Sequence, residues 1–153
     1  MIVIKQMIKL YTTPSCASCR KAKNWLEEHN IPYEEKNIFA YPITKEDIRL
    51  ILKNTENGFE DIISTRSKFI MENNIDIDSL KFSELEQLIM DNPSILKRPI
   101  IVEDNKLQIG YNEEDIRVFI PKELRKVLMN LDCDSCNYKD ELKKYYYEQV
   151  NVK

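Results

Sequence analysis

Two cysteine pairs share one spacing: Cys16 and Cys19 in "TPSCASCRKAK", and Cys133 and Cys136 in "LDCDSCNYK". Cysteines three apart can close a disulfide, present a thiolate to a substrate, or supply part of a metal site. A thiolate attacks and a thiol barely does, and the ordinary thiol pKa of about 8.5 falls at a helix N-terminus or beside a cation. Cys16 meets the first condition if a helix starts directly after the "TPSC" loop, because the unpaired N–H groups of its first turn face the sulfur. Cys19 then lies one turn inside, close enough to resolve an oxidised Cys16. Arg20 and Lys21 add positive charge nearby. Plain core filling is the alternative, since buried cysteine is common. The preceding strand, Pro14, the spacing and the basic flank together weigh against it. Zinc wants four ligands, and with His29 the only histidine, Cys133 and Cys136 would have to complete the set. No metal site and no cofactor are expected. The second pair lacks a preceding strand and a basic flank, so it reads as exposed thiols without an activating setting, with a second sensor or a metal pair as the functional alternative.

The elements that must position the first pair are legible around it. "MIKLYT", Met7 to Thr12, alternates and is rich in β-branched and aromatic residues, and "CASCRKAKNWLEEHN" follows at helical spacing with Ala22, Trp25 and Leu26 on one face. Pro32 breaks the chain, and Tyr33 to Ile38 reads as a second strand, which makes a βαβ opening. Helix entries are expected at Thr44 with Asp47, Ser83 with Glu86 and Asn112 with Asp115, each a short polar side chain followed three residues later by a carboxylate. "DIISTRSKFIMENN" and "DIDSLKF" read as short helical pieces. Ile100 to Glu103 and Lys106 to Ile109 form a hairpin about Asp104 and Asn105, with helices expected from Glu113 and after Pro121. The order βαβ, helical lobe, ββα predicts an α/β thioredoxin-like fold: a mixed sheet with a helical insertion lobe and a C-terminal tail. The expected boundaries are a single domain over 1–131, with its core at 7–42 and 83–131 and its insertion at 43–82, and an appended tail at 132–153.

The 153 residues carry 42% hydrophobic side chains, enough for one cored domain. With 23 basic and 26 acidic residues, a formal charge of -3 and a pI near 5.4, the chain is unsuited to gripping a duplex by net charge alone. Any nucleic-acid contact would lean on another protein. No apolar run has the length a bilayer needs, and "MIVIKQMIKLY" is broken by Lys5 and Lys9 without a small-residue cleavage site, so a cytoplasmic chain is expected. Met1 and Met7 are both candidate starts. In a reducing compartment, paired cysteines are redox-active or metal-binding more often than permanent staples.

Three stretches, "LYTTPSCASCRKAKNWLEEHNIPYEEKNIF", "TENGFEDIISTRSK" and "LKRPIIVEDNKLQIGYNEEDIRVFIP", make residues 7–121 similar to the Spx branch of the ArsC-like, thioredoxin-fold proteins of low-GC Gram-positive bacteria. The resemblance implies a redox-sensing transcriptional regulator that binds the C-terminal domain of the RNA polymerase α subunit, meets promoter DNA only with the polymerase, and is turned over by the ClpXP protease with an adaptor. It makes Cys16 and Cys19 the switch disulfide. It places Pro99 as a cis-proline against the switch loop, with Arg98 beside it engaging the switch. Gly58 and Lys53 match polymerase-contact positions, and Arg66 and Lys68 match a basic stretch near promoter DNA. Lys53 stands where the family usually has Arg, which keeps the charge and loses the planar fork. The tail departs from the short, protease-recognised end usual in the family.

The enzyme alternative is an arsenate reductase-like or glutaredoxin-like thiol oxidoreductase on the same fold. Cys16 would be the nucleophile, and Arg98 and Arg66 would form part of an oxyanion site. A zinc-stabilised interaction module joining both CxxC pairs is a third class.

Overall fold

A computed structural model describes residues 7–121. The second cysteine pair, the expected helix after Pro121 and the tail lie outside the described residues. Strand β1 (Ile8–Thr12) is followed by helix α1 (Ala17–Glu28) and strand β2 (Tyr33–Asn37). Helices α2 (Lys45–Leu52), α3 (Phe59–Ile62) and α4 (Lys68–Glu72) come next, then a 3-10 turn at Ile77–Ser79 and helix α5 (Phe82–Asp91). A second 3-10 turn (Pro93–Ile95) leads into strands β3 (Ile100–Glu103) and β4 (Lys106–Ile109), and a third occupies Asp115–Phe119.

The sheet is mixed, in the order β2-β1-β3-β4. Strand β1 runs parallel to β2, with Leu10 opposite Glu35 and Thr12 opposite Asn37, and antiparallel to β3, with Leu10 opposite Ile101. Because strand side chains alternate between faces, β1 and β3 feed two cores. Ile8, Leu10 and Ile101 pack with Ala22, Trp25 and Leu26 of α1 and with Ile116 and Phe119. Tyr11, Ile100 and Val102 pack on the other side with Ile48, Ile51, Ile62, Ile70 and Ile89 from the helices. The CxxC helix therefore lies on one face of the sheet and the helices of residues 45–91 on the other.

A polar knot ties the second layer to the sheet. Tyr11 Oη donates to Asp47 Oδ1 at 2.7 Å, and Lys36 Nζ donates to Asp47 Oδ2 at 2.6 Å. The Thr44 backbone N–H also donates to Oδ2, at 3.0 Å, while Thr44 Oγ1 accepts from the Asp47 N–H at 3.1 Å. This is the expected capping box at α2, with its carboxylate doubling as a buried tie to β1 and β2. Burial pushes the Asp47 carboxyl up. The Lys36 ammonium, the Thr44 backbone and the hydroxyls of Tyr11 and Thr44 outweigh it and hold the group at about 2.

Three sequence expectations need correction. Helix α5 starts two residues earlier than the Ser83–Glu86 pattern implies: its cap is Lys81, whose N–H donates to Glu84 Oε2 at 3.1 Å, so Ser83 sits inside the first turn. Asn112 Oδ1 accepts from the N–H groups of Glu114 and Asp115 as expected, but the residue that caps the element is Glu114. The element it opens is a single 3-10 stretch, ending just before Pro121, whose ring disfavours helix in the residue preceding it. The "DIISTRSKFIMENN" segment is two helices separated by an extended piece, because Ile63 leaves α3 to bridge Leu96.

Candidate functional site

Helix α1 begins where the sequence places it. Cys16 is its N-cap in extended backbone, and its Sγ accepts from the Cys19 N–H at 3.1 Å. A sulfur thus occupies the position a serine or aspartate oxygen takes in an ordinary cap, facing the positive end of the helix. Cys16 and Cys19 are joined as a disulfide, with Cα atoms 5.2 Å apart. Ser15 adopts φ 61°, a left-handed turn that brings the chain out of β1 and Pro14 and into the helix. Cys16 is half-buried, whereas Cys19 is only 4% exposed. Cys16 is therefore the more exposed residue of the pair.

A hollow of about 210 Å3 opens beside the disulfide, lined by Thr13, Ser15 and both cysteines and, at its charged side, by Arg20, Lys23 and Glu35. Glu35 holds that side together: Thr12 Oγ1 donates to its Oε1 at 3.0 Å, and Lys23 Nζ lies 3.0 Å from Oε2. The carboxylate bond raises the pKa of Lys23. Sequence spacing alone did not single out Glu35 or Thr12. The usable signal was the parallel pairing of β1 with β2, which sets Glu35 opposite Leu10, two residues from Thr12.

The Arg98–Pro99 peptide is cis, and Pro99 is buried. Arg98 does not line the hollow. Its guanidinium donates from Nη1 to Thr13 Oγ1 at 3.4 Å and lies over the Phe39 ring, 5.7 Å from the centroid. It reaches the strand-to-helix loop at Thr13, three residues before Cys16.

The remaining sequence candidates lie apart from the disulfide. Gly58 caps α3 with φ 69°, and a Cβ built there would meet nothing within 4 Å. Lys53 caps the C-terminus of α2, half-exposed, 3.4 Å from Asp104. Lys68 starts α4, largely exposed, at 3.8 Å from Glu72. Arg66 lines a separate hollow of about 610 Å3 with Glu60, Asp76, Asp78 and Lys97. Arg66 and Arg98 therefore do not converge on Cys16. His29, capping the C-terminus of α1, is a packed group: it stacks on Trp25 with centroids 4.0 Å apart, and its Nδ1 donates to the Trp25 carbonyl at 2.7 Å. Among the described residues, no group of three or more histidine, cysteine or acidic side chains is placed to hold a metal ion. No described helix is long and apolar enough to cross a membrane.

The ArsC family model matches residues 11–119. Over 119 residues the chain is 56% identical to the global transcriptional regulator Spx of Staphylococcus epidermidis and 54% identical to that of Listeria innocua. Each alignment covers 78% of this chain and 91% of the relative. The chain belongs to the ArsC family, on its Spx branch. Among solved structures, an ArsC-family-related protein from Bacteroides fragilis superposes with a TM-score of 0.66 at 22% identity, covering 75% of this chain and 98% of its own. A Streptococcus mutans protein titled "possible arsenate reductase" gives a TM-score of 0.63 at 27% identity, covering 72% and 97%. The fold is accordingly the thioredoxin-like ArsC type, with a mixed sheet and the CxxC at the start of its first helix.

Proposed function

We propose that the chain is a redox-sensing transcriptional regulator whose Cys16–Cys19 disulfide sets its affinity for the C-terminal domain of the RNA polymerase α subunit. The observation that carries this reading is a CxxC disulfide capping α1 in a chain more than half identical to proteins named global transcriptional regulators. Opening the bridge frees Cys16 to act as an N-cap thiolate. The loop from Thr13 to Cys16 then relaxes against Arg98, so the two redox states differ in the surface they present. Gly58 and Lys53 form the polymerase contact in this reading. Gly58 supports it because open space surrounds its missing side chain, so a partner's backbone can approach closely there. Arg66 and Lys68 lie beyond them on the same segment and meet promoter phosphates once the polymerase has brought DNA near, which suits an acidic chain. The core at 7–42 and 83–131 carries the switch, and the insertion at 43–82 carries the contact. Abundance is controlled in the cytoplasm by ClpXP with an adaptor.

The test is a pull-down of the polymerase α C-terminal domain with oxidised and reduced protein, run beside an arsenate turnover assay. Binding that Gly58→Arg abolishes, without turnover, is expected. Turnover that depends on Cys16, with no binding, would hand the site to the arsenate reductase reading.

A further inference from the structure

We propose that Asn57–Gly58 is a self-modification site: the Gly58 nitrogen displaces ammonia from the Asn57 carboxamide, and the isoaspartyl product retires the contact loop with age. The chemistry stands on local geometry alone. Its effect on polymerase binding rests on the reading of Gly58 as a contact.

The two reacting groups are adjacent and unobstructed. Asn57 is exposed in a bend between α2 and α3, and it is the one asparagine of the sequence that glycine follows. Closing a ring from a carboxamide carbon onto the next residue's nitrogen is hindered by a β-carbon on that residue, and Gly58 has none. The surroundings leave room as well, since a Cβ built at Gly58 would meet nothing within 4 Å.

Two latches hold the groups in their present arrangement. The Gly58 N–H donates to Thr55 Oγ1 at 3.1 Å, and the Thr55 hydroxyl donates in turn to the Leu52 carbonyl at 2.6 Å. Asn57 Nδ2 donates to Asp61 Oδ1 at 3.2 Å, while Asp61 Oδ2 accepts from the N–H groups of Glu56 and Asn57, each at 3.0 Å. The Asp61 bonds are exposed to solvent, and exposed bonds in a short loop open at low cost.

Once the latches open, hydroxide takes the Gly58 amide proton and the nitrogen bonds to Asn57 Cγ. The Cγ–Nδ2 bond breaks, and Nδ2 picks up a proton and leaves as ammonia. Water then adds to one of the two carbonyls of the resulting succinimide and breaks that carbonyl's bond to the Gly58 nitrogen. Opening at Cγ leaves an aspartyl residue. Opening at the backbone carbonyl leaves an isoaspartyl residue, whose main chain runs through Cβ and Cγ. The net reaction consumes one water and releases one ammonia, with no change in oxidation state.

The two products differ in what they spare. The aspartyl form loses the Asn57 Nδ2 bond but retains both backbone N–H bonds to Asp61. The isoaspartyl form inserts a carbon into the main chain directly before Gly58, whose φ of 69° sets the entry to α3, and adds a carboxylate beside that of Asp61. The contact loop therefore carries a lifetime written into its own backbone.

The test ages the full chain in warm, mildly alkaline buffer. Peptide mass spectrometry reads amide-to-acid conversion at every asparagine, isoaspartyl methyltransferase labelling scores isoaspartate, and binding to the polymerase α C-terminal domain is measured at each time. Conversion at Asn57 is expected ahead of every other asparagine, faster as pH rises. Thr55→Val should speed it about fivefold by removing one latch. Asn57→Gln should stay unmodified and keep binding, Asn57→Asp should bind, and the unsubstituted chain should lose binding in step with isoaspartate. An Asn57 that survives while other asparagines convert would overturn the site, and an unchanged rate in Thr55→Val would overturn the latch. Full isoaspartate with undiminished binding, or equal loss in Asn57→Gln, would overturn the retirement of the loop while leaving the polymerase reading intact. Fresh protein that does not bind would overturn the polymerase reading and the retirement together, and the mass change would still decide the chemistry.

Discussion

Arg98 and Thr13 meet across the top of the sheet, Nη1 to Oγ1 at 3.4 Å, joining residues 85 apart in sequence. The contact lets the proline loop hold the strand-to-helix loop without touching either sulfur. A double-mutant cycle of Arg98→Ala and Thr13→Val should therefore show coupling of about 1 kcal/mol in the thermal stability of the oxidised protein. Strict additivity would show that the pair does not communicate.

Glu35 neutralises the ammonium nearest the cysteines. Glu35→Gln leaves Lys23 unpaired in the hollow shared with Cys16 and Cys19, which stabilises thiolate and makes the couple more oxidising by about 15–30 mV. Lys23→Ala should shift the midpoint the opposite way. Titration in dithiol redox buffers, read by mass spectrometry, separates the two.

Stability against pH should carry the signature of the Tyr11–Asp47–Lys36 knot. The Asp47 carboxyl sits at about 2 in the folded protein against an ordinary 3.8, so its contribution is present above the unfolded value and is lost as pH falls from about 4 to about 2. The loss should be about 2 kcal/mol in denaturant unfolding. Asp47→Asn should be less stable at neutral pH and should flatten that acid limb. Burial, then the hydrogen bond and charge of Asp47, push the Tyr11 hydroxyl well above 10, so a second decline should begin near pH 10, absent in Tyr11→Phe.

Gly58 adopts a left-handed φ with empty space where a side chain would begin. Gly58→Ala should cost about 1 kcal/mol through backbone strain alone, with no clash to relieve. Thermal unfolding of Gly58→Ala and Gly58→Arg should therefore give similar, modest losses, so that lost polymerase binding in the second cannot be blamed on unfolding.

Local signals were legible in the sequence and long-range ones were not. Strands β3 and β4 occupy the residues expected of them, because Asp104 and Asn105 form a turn between two β-rich runs and Asp104 accepts a positive φ. The Thr44 cap was equally readable, since its partner is three residues away. Ser83 misled because Glu84, not Glu86, reaches back to the start of α5. The Thr12–Glu35–Lys23 cluster depends on strand register, and the Arg98–Thr13 contact on how the proline loop crosses the sheet, and neither leaves a mark in residue spacing. The disulfide partners were evident from "CASC", whereas the exposure that distinguishes the two cysteines came only with the packing of α1.

Ile63 and Leu96 bridge outside the main sheet, with Ser64 N–H donating to the Ile95 carbonyl at 2.7 Å and Lys97 N–H to that of Ile62 at 2.8 Å. These two rungs splice the segment bearing Gly58 and Arg66 onto the residues that run directly into Arg98. Both rungs are made by backbone groups, so side-chain substitutions other than to proline leave every donor and acceptor of the splice in place.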